Sequence, residues 1–374
     1  MWMVDMCIWT GPWPMLSCEE PYLKLTVGGW PENLEYMKAL VCTNPGRMDY
    51  IDLPEPERKA GYAIVRIRKI CICGTDLHAF EGTQPFFNYP RILGHELSGE
   101  LVEFDDAPGF EKGESVTFLP YLNCGNCIAC RAGKTNCCTS LRVCGVHIDG
   151  GMADYYAIPS RLLVHAQGLN QTELAMVEPL SIGAHGIRRA DVKPGEFVLV
   201  IGAGPIGLGV MEFARIRGAQ VIALDTNEFR LNFCKNGLAV PFIIQAGEKN
   251  VMEQLQDITH GDMPAVVIDA SGNRLAINQG FHYMAHGGRY VLVGLQKEEL
   301  VFSHPEFHKR EATLMSSRNA TRGDFDLVMQ CMREKKVSPL SFITNRVPFK
   351  EAASGFPDWI KSPGRIIKVV VEKD

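Results

Sequence analysis

The sequence predicts an α/β protein in two successive parts: a small barrel or sandwich of short strands, then a doubly wound parallel sheet. Three observations predict it. The chain has 374 residues, enough for about two domains of roughly 100–200 residues, each with a core of its own. In the first half, short apolar runs are separated by Gly and Pro, the punctuation of a β-rich fold. Beyond Asp191–Pro194, strand-like and helix-like segments alternate with short connections, as βαβ units do.

Met37–Cys42, Ala63–Arg68 and Glu114–Phe118 read as strands, and their irregular spacing suits a small barrel or sandwich. A cysteine-dense loop interrupts them at 124–138. In the second half Phe197–Ile201 (FVLVI) is a continuous apolar run, expected of a parallel strand buried on both faces. A glycine-rich turn and a helix over Ile206–Arg217 follow it. Strands at Val221–Leu224, Phe242–Gln245, Ala265–Ile268 and Arg289–Leu295 then alternate with helices at Glu228–Asn236, Asn250–Thr259 and Arg274–Met284. From about Asp324 the chain returns to mixed α and β, and it ends on a strand, Arg365–Val371.

Composition narrows the function. Lys and Arg number 38 against 43 Asp and Glu, for a net charge of −5. No basic block stands out, so nucleic acid is not an expected partner. No run of about 18 apolar residues predicts a membrane-spanning helix. The 13 cysteines are an odd number, which argues against a fully paired disulfide framework and for reduced thiols or metal ligands. A cytoplasmic location is the matching expectation. Residues 1–36 stand apart, with four of the five tryptophans and five acids against one base. They lack the basic start of a signal peptide. They read as an upstream extension, with the working protein starting at Met37; a genuine N-terminal arm is the alternative.

Gly202-Ala203-Gly204-Pro205-Ile206-Gly207 follows the first parallel strand and opens a helix. Gly202 permits the tight turn, Gly204 lets the backbone approach a pyrophosphate, and Gly207 allows close packing of helix on sheet. The helix N-terminus adds free N–H groups and a positive dipole end. Asp225 ends the next strand, where a carboxylate accepts the ribose hydroxyls of NAD and repels the 2′-phosphate of NADP. Arg230 is the nearest base. The residues therefore predict an NAD site.

Cys124, Cys127, Cys130 and Cys138 form C-x2-C-x2-C-x7-C. Four thiolates at this spacing can close a tetrahedron round Zn2+ with no open position, which makes such a site structural. Cys137 is taken as a bystander. A second set is dispersed: Cys73 and His78 in CGTDLH, His95 and Glu96 in GHELSGE, and Glu178 in VEPL. Taken singly, Cys73 reads as a buried thiol, His95 as a satisfied core histidine and Glu178 as a carboxylate at a helix start.

Together they change that reading. From Met37 to Asp374 the chain resembles the zinc-dependent medium-chain alcohol dehydrogenases. The resemblance rests on CGTDLH (73–78), GHELSGE (94–100), the four-cysteine loop, GAGPIG (202–207) and Asp225, in the family's order. It implies a GroES-like zinc-binding catalytic domain over 37–187, a Rossmann NAD domain over 188–320 and a return to the catalytic domain over 321–374. It also implies two zinc ions, one structural and one catalytic, with Cys73 and His95 as ligands of the second. The third ligand is left open between Glu96 and Glu178. Glu178 stands where liver-type members have a second cysteine, and in sorbitol and threonine dehydrogenases the glutamate of the GHE motif binds zinc while the other acts through water. A Cys/His/Glu set plus water keeps the open position that catalysis requires. Thr75 matches the family's Ser/Thr that accepts the substrate proton, and His78 is the candidate to relay it to solvent. Asp76 is expected to order the loop. Cofactor contacts are expected from Gly202, Gly204, Pro205, Ile206, Gly207, Asp225, Arg230 and Arg318. A dimer or tetramer is the family expectation.

The stretches 82–96, 134–138, 145–151, 305–309 and 316–321 are similar to members that act on sugar acids. The implied reaction oxidises a secondary hydroxyl of an L-galactonate-like aldonate to a ketone and reduces NAD. A polyol such as sorbitol, or L-threonine, is the alternative substrate; a catalytically silent NAD-binding relative is the alternative of another class. An acid substrate needs a cation or convergent donors, for which Arg318, His147 and Asn319 are candidates. Phe86, Phe87 and Tyr89 are candidate pocket walls.

Overall fold

The computed structural model describes residues 35–85, 87–247, 250–362 and 364–373. Residues 1–34 of the expected extension, and Phe86, lie outside them. The segment Tyr36–Asp374 forms one compact unit.

In the first half the strand Tyr62–Cys71 is the hub. It pairs antiparallel with Glu96–Phe104, Tyr155–Pro159 and Lys368–Glu372. Among the described residues this sheet has seven strands and runs out to Ser115–Phe118 and Leu163–His165 on one side and to Ile343–Pro348 on the other. The strand Tyr36–Asn44 pairs separately with Arg47–Pro54 and Arg91–Ile92. Strand alternation buries Ala63, Val65 and Ile67 in the core while leaving Arg66 exposed. Gly99 is required here, because a Cβ would lie 2.1 Å from the Arg66 carbonyl oxygen of the neighbouring strand. The expected strand Glu114–Phe118 begins at Ser115, and the C-terminal strand runs over Lys368–Glu372 rather than 365–371.

The second half is a parallel sheet in the spatial order Phe242–Gln245, Gln220–Asp225, Phe197–Ile201, Val266–Asp269, Arg289–Leu292, Thr313–Ser316. This is the 3-2-1-4-5-6 order of the doubly wound fold. Its crevice opens where the order reverses, between Phe197–Ile201 and Val266–Asp269. Val198, Leu199 and Val200 are fully buried, which accounts for the unbroken apolar run.

Two elements of the second half stop well before their expected ends. The helix from Arg274 ends at Gly280, a position where a Cβ would lie 2.3 Å from the Tyr290 hydroxyl. Phe281, Tyr283 and Met284 stay buried beyond that end, so their apolar spacing mimics a longer helix. The strand from Arg289 ends at Leu292, where the N–H groups of Val293 and Gly294 turn to the Asp269 carbonyl oxygen.

The helix Val177–Ala190 joins the halves and is buried along most of its length. It crosses the helix Pro205–Ile216 so closely that a Cβ on Gly183 would come within 2.6 Å of the Gly209 backbone. This glycine contact fixes Glu178, at the start of one helix, relative to the glycine-rich turn that starts the other.

Candidate active site and metal centres

Cys73 caps the helix Gly74–Glu81 in extended conformation. Its N–H donates to Asp76 Oδ2 at 2.9 Å, and Asp76 Oδ1 accepts from Gly94 N–H at 3.2 Å. Asp76 is fully buried and also lies 3.8 Å from His95 Nδ1. One carboxylate therefore ties the CGTDLH segment to the GHE segment. The donor atoms of Cys73, His95 and Glu96 lie within 4.8 Å of one another. A thiol, an imidazole and a carboxylate are the donor types zinc takes. His95 Nδ1 is a buried polar atom without a hydrogen-bond partner among the described residues, which suits a site for a further group. The residues fit a zinc ion.

Glu96 is fully buried and has a partner the sequence reasoning missed. Lys368 Nζ lies 2.8 and 2.7 Å from its two oxygens and 3.1 Å from the Ile72 carbonyl oxygen. Burial disfavours the charged ammonium, but Glu96 and Cys73 beside it hold its pKa above that of an ordinary lysine. The signal was present in the sequence: a single Lys in the apolar run IIKVVV implies a buried charge seeking a partner.

Glu178 faces the same group from the start of its helix and is buried. Tyr121, also buried and also missed, donates its hydroxyl to Glu178 Oε1. Burial pushes the Glu178 carboxyl up to about 7, against the opposing pull of His95. Burial lowers the basicity of His95, but Cys73 and Asp76 outweigh it and hold the ring well above the ordinary histidine value. Thr75 is half-buried and His78 exposed, three residues apart on one helix. His78 Nδ1 lies 3.2 Å from Glu81 Oε2 and 3.3 Å from Thr83 Oγ1.

The sulfur atoms of Cys124, Cys127, Cys130 and Cys138 form a second group within 4.8 Å. Backbone N–H groups point at the sulfurs; that of Cys124 lies 3.3 Å from Cys138 Sγ. Such bonds from Cys130 and Thr139 bring the Cys127 thiol down to about 5, which favours the thiolate a metal binds. Cys137 is exposed and outside the group.

At the glycine-rich turn Gly202 has φ +98°, and a Cβ at Gly207 would sit 1.8 Å from the Gly202 carbonyl oxygen. Gly204 is open on that side; only Arg230 Nη1 lies within 4 Å, at 3.8 Å. Gly204 is the N-cap and Pro205 the first residue of the helix that includes Ile206. Asp225 accepts from Ala203 N–H at 2.6 Å and from Asn227 N–H at 2.8 Å, so its carboxylate sits directly against the turn. Arg318 is exposed, and its carbonyl oxygen accepts from Asn136 Nδ2 at 2.8 Å. Of the expected pocket walls, Phe87 packs edge-on against Tyr89, whose hydroxyl donates to the Ala79 carbonyl oxygen.

Residues 59–177 match the family described as alcohol dehydrogenase GroES-like domain, and residues 205–334 match the zinc-binding dehydrogenase family. The chain is 41% identical over 336 residues to L-galactonate-5-dehydrogenase of Escherichia coli (strain K12), covering 90% of this chain and 98% of that protein. It is 32% identical over 343 residues to sorbitol dehydrogenase of Halalkalibacterium halodurans, covering 90% and 99%. Among solved structures it is similar to a protein described as a short chain alcohol dehydrogenase from Escherichia coli CFT073, complexed with NADH. The TM-score is 0.84 at 27% identity, covering 90% of this chain and 99% of that one.

Proposed function

This chain belongs to the zinc-dependent medium-chain alcohol dehydrogenase family, and from that premise we propose that it oxidises a secondary hydroxyl of an L-galactonate-like aldonate with NAD. The product is the keto-aldonate. One observation carries the reaction class: the Cys73–His95–Glu96 group and the Gly202–Gly207 turn belong to one compact unit. The helix bearing Glu178 crosses the nucleotide helix at the Gly183–Gly209 contact. The substrate class is supported by the similarity to L-galactonate-5-dehydrogenase across both halves. The likeness to a sorbitol dehydrogenase favours a polyol as the second reading.

Zinc bound there would supply Lewis acidity towards a substrate hydroxyl, and bound NAD would supply the hydride acceptor. The chain's residues do the rest. Cys73 and His95 would hold the metal. Glu96 is the third donor we assign, since its carboxylate groups with theirs. Lys368 fixes that carboxylate and offsets its charge. Glu178, held by Tyr121, is the outer carboxylate. Thr75 takes the substrate proton and His78, on the solvent side of the same helix, passes it out. Gly204 admits the pyrophosphate, Arg230 adds positive charge beside it, and Asp225 accepts the ribose hydroxyls. The four-cysteine loop would hold the structural zinc.

A homo-oligomer fits the edge strand Thr313–Ser316, which pairs with Arg289–Leu292 and presents Leu314 to solvent. A cytoplasmic site of action fits the free cysteines. No helix among the described residues is long and apolar enough to cross a membrane.

Purified protein given NAD and, in turn, L-galactonate, sorbitol and L-threonine tests the substrate by NADH absorbance. The highest kcat/KM is expected for L-galactonate. A clear preference for sorbitol or threonine overturns it.

A further inference from the structure

We infer that Arg91, His147 and Arg318 form an anion-recognising end of the substrate cleft, which binds the carboxylate of the sugar acid. The inference rests on the aldonate reading above and adds the groups that would select it.

The first argument is placement. The loop 145–151 is stapled onto residues 91–95. Gly150 N–H donates to the Ile92 carbonyl oxygen at 2.8 Å, Met152 N–H to that of Leu93 at 2.9 Å, and Gly151 N–H to that of Gly94 at 3.0 Å. Ile92 N–H donates in return to Asp149 Oδ1 at 3.0 Å. The approach is so close that a Cβ would lie 2.7 Å from Gly94 N at Gly145 and 2.3 Å from Gly94 O at Gly150. Arg91 and His147 are thereby held on two interlocked segments beside His95.

The second argument is chemistry. Val143 N–H donates to His147 Nδ1 at 3.2 Å, so a neutral ring carries its proton on Nε2 and offers that N–H as a donor. The side chain is exposed. Burial, and then the charges of Arg318 and Arg91, hold this ring below the ordinary histidine pKa. Arg91 and His147 sit on the two stapled segments, the charges of both arginines act on the ring, and the ring in its neutral form donates from Nε2. Arg91 Nε is buried without a hydrogen-bond partner among the described residues, and its Nη1 reaches Asp149 Oδ1 only at 3.5 Å. Arg318 brings its guanidinium from the other half of the chain, with its backbone pinned by Asn136. Next to it Asn319, at φ +52°, has a buried Nδ2 that also lacks a partner among the described residues. Arg91 and Arg318 both carry positive charge, which suits an anionic group on the substrate. Guanidinium forks match a carboxylate in shape as well as in charge.

The test compares L-galactonate with galactitol, the same carbon chain without the acid group. Arg318→Gln and His147→Phe are expected to raise KM for L-galactonate about tenfold or more, with kcat changed far less. The ratio of kcat/KM for aldonate over hexitol falls by the same factor, and Arg318→Lys recovers part of it. Equal losses on both substrates, or a rise confined to the KM for NAD, overturn the inference and assign these residues to the fold or the cofactor. If wild-type protein oxidises galactitol and no aldonate, the substrate reading fails by itself, and malonate then decides the site. Competition by malonate against galactitol that disappears in Arg318→Gln upholds the anion site; absence of competition in wild type overturns it.

Discussion

Lys368 sets its ammonium 2.7 Å from the nearer Glu96 oxygen, and both side chains are 1% exposed. The pair joins the last strand of the chain to the first residue of the strand Glu96–Phe104. The C-terminal segment therefore supports, across 272 residues of sequence, a carboxylate of the group we assign to zinc. Removing one member of a buried pair strands the other charge. Lys368→Met is expected to cost about 3–5 kcal/mol in urea denaturation and to weaken zinc binding, while Lys368→Arg retains most of both. Wild-type stability and zinc content in Lys368→Met would show that Glu96 is positioned by something else.

The four-cysteine loop and the nucleotide turn were legible in the sequence because their parts are local, whereas the dispersed Cys73, His95, Glu96 and Glu178 were read through the family resemblance. The four cysteines lie within 15 residues, and a glycine-rich turn between an apolar strand and a helix has one physical meaning. The strand Phe242–Gln245 was readable to the residue, since its apolar run ends at turn-forming residues. Lys368 and Tyr121 were not assigned, because each acts through a partner remote in sequence and neither lies in a motif. The strand Arg47–Pro54 was missed for another reason: it is only partly buried and shows no apolar face.

The glycines of the nucleotide turn differ in what they tolerate. Gly207→Ala puts a methyl 1.8 Å from a backbone oxygen, so a loss of about 1–3 kcal/mol or more is expected. Gly204→Ala meets only Arg230 Nη1 at 3.8 Å. It should melt like wild type yet bind NADH at least about tenfold more weakly, because the methyl occupies the approach of the pyrophosphate. NADH fluorescence titration beside a thermal melt separates the two. Normal NADH affinity in Gly204→Ala argues against a phosphate contact at this turn.

We assign to Asp225 the discrimination between NAD and NADP. Asp225→Ser removes the charge that repels a 2′-phosphate and keeps an acceptor for the Ala203 and Asn227 N–H groups. The kcat/KM preference for NAD over NADP is expected to fall about tenfold or more. An unchanged preference places the discrimination elsewhere.

Asp324 makes part of the stability pH-dependent. Burial opposes its ionisation, but hydrogen bonds from His185, Arg188 and Thr321 overcome this and hold the carboxyl well below the ordinary carboxylate range. A folded-state pKa below the unfolded value means stability that is present above about pH 4 and lost as the pH falls towards the folded value. Asp324→Asn should cost about 2–3 kcal/mol at pH 7, with the gap to wild type narrowing below about pH 4. Urea melts across this range check it; a gap that does not change with pH contradicts the assignment.

The central claim, that one metal-binding group performs the oxidation while the other maintains structure, is tested most directly by metal content and NADH formation measured on the same preparations. Wild type is expected to hold two zinc ions per chain and to reduce NAD with L-galactonate. Cys73→Ser should hold one and be inactive, with its fold intact by circular dichroism. Full activity in Cys73→Ser, or in wild type stripped of zinc, would contradict the account.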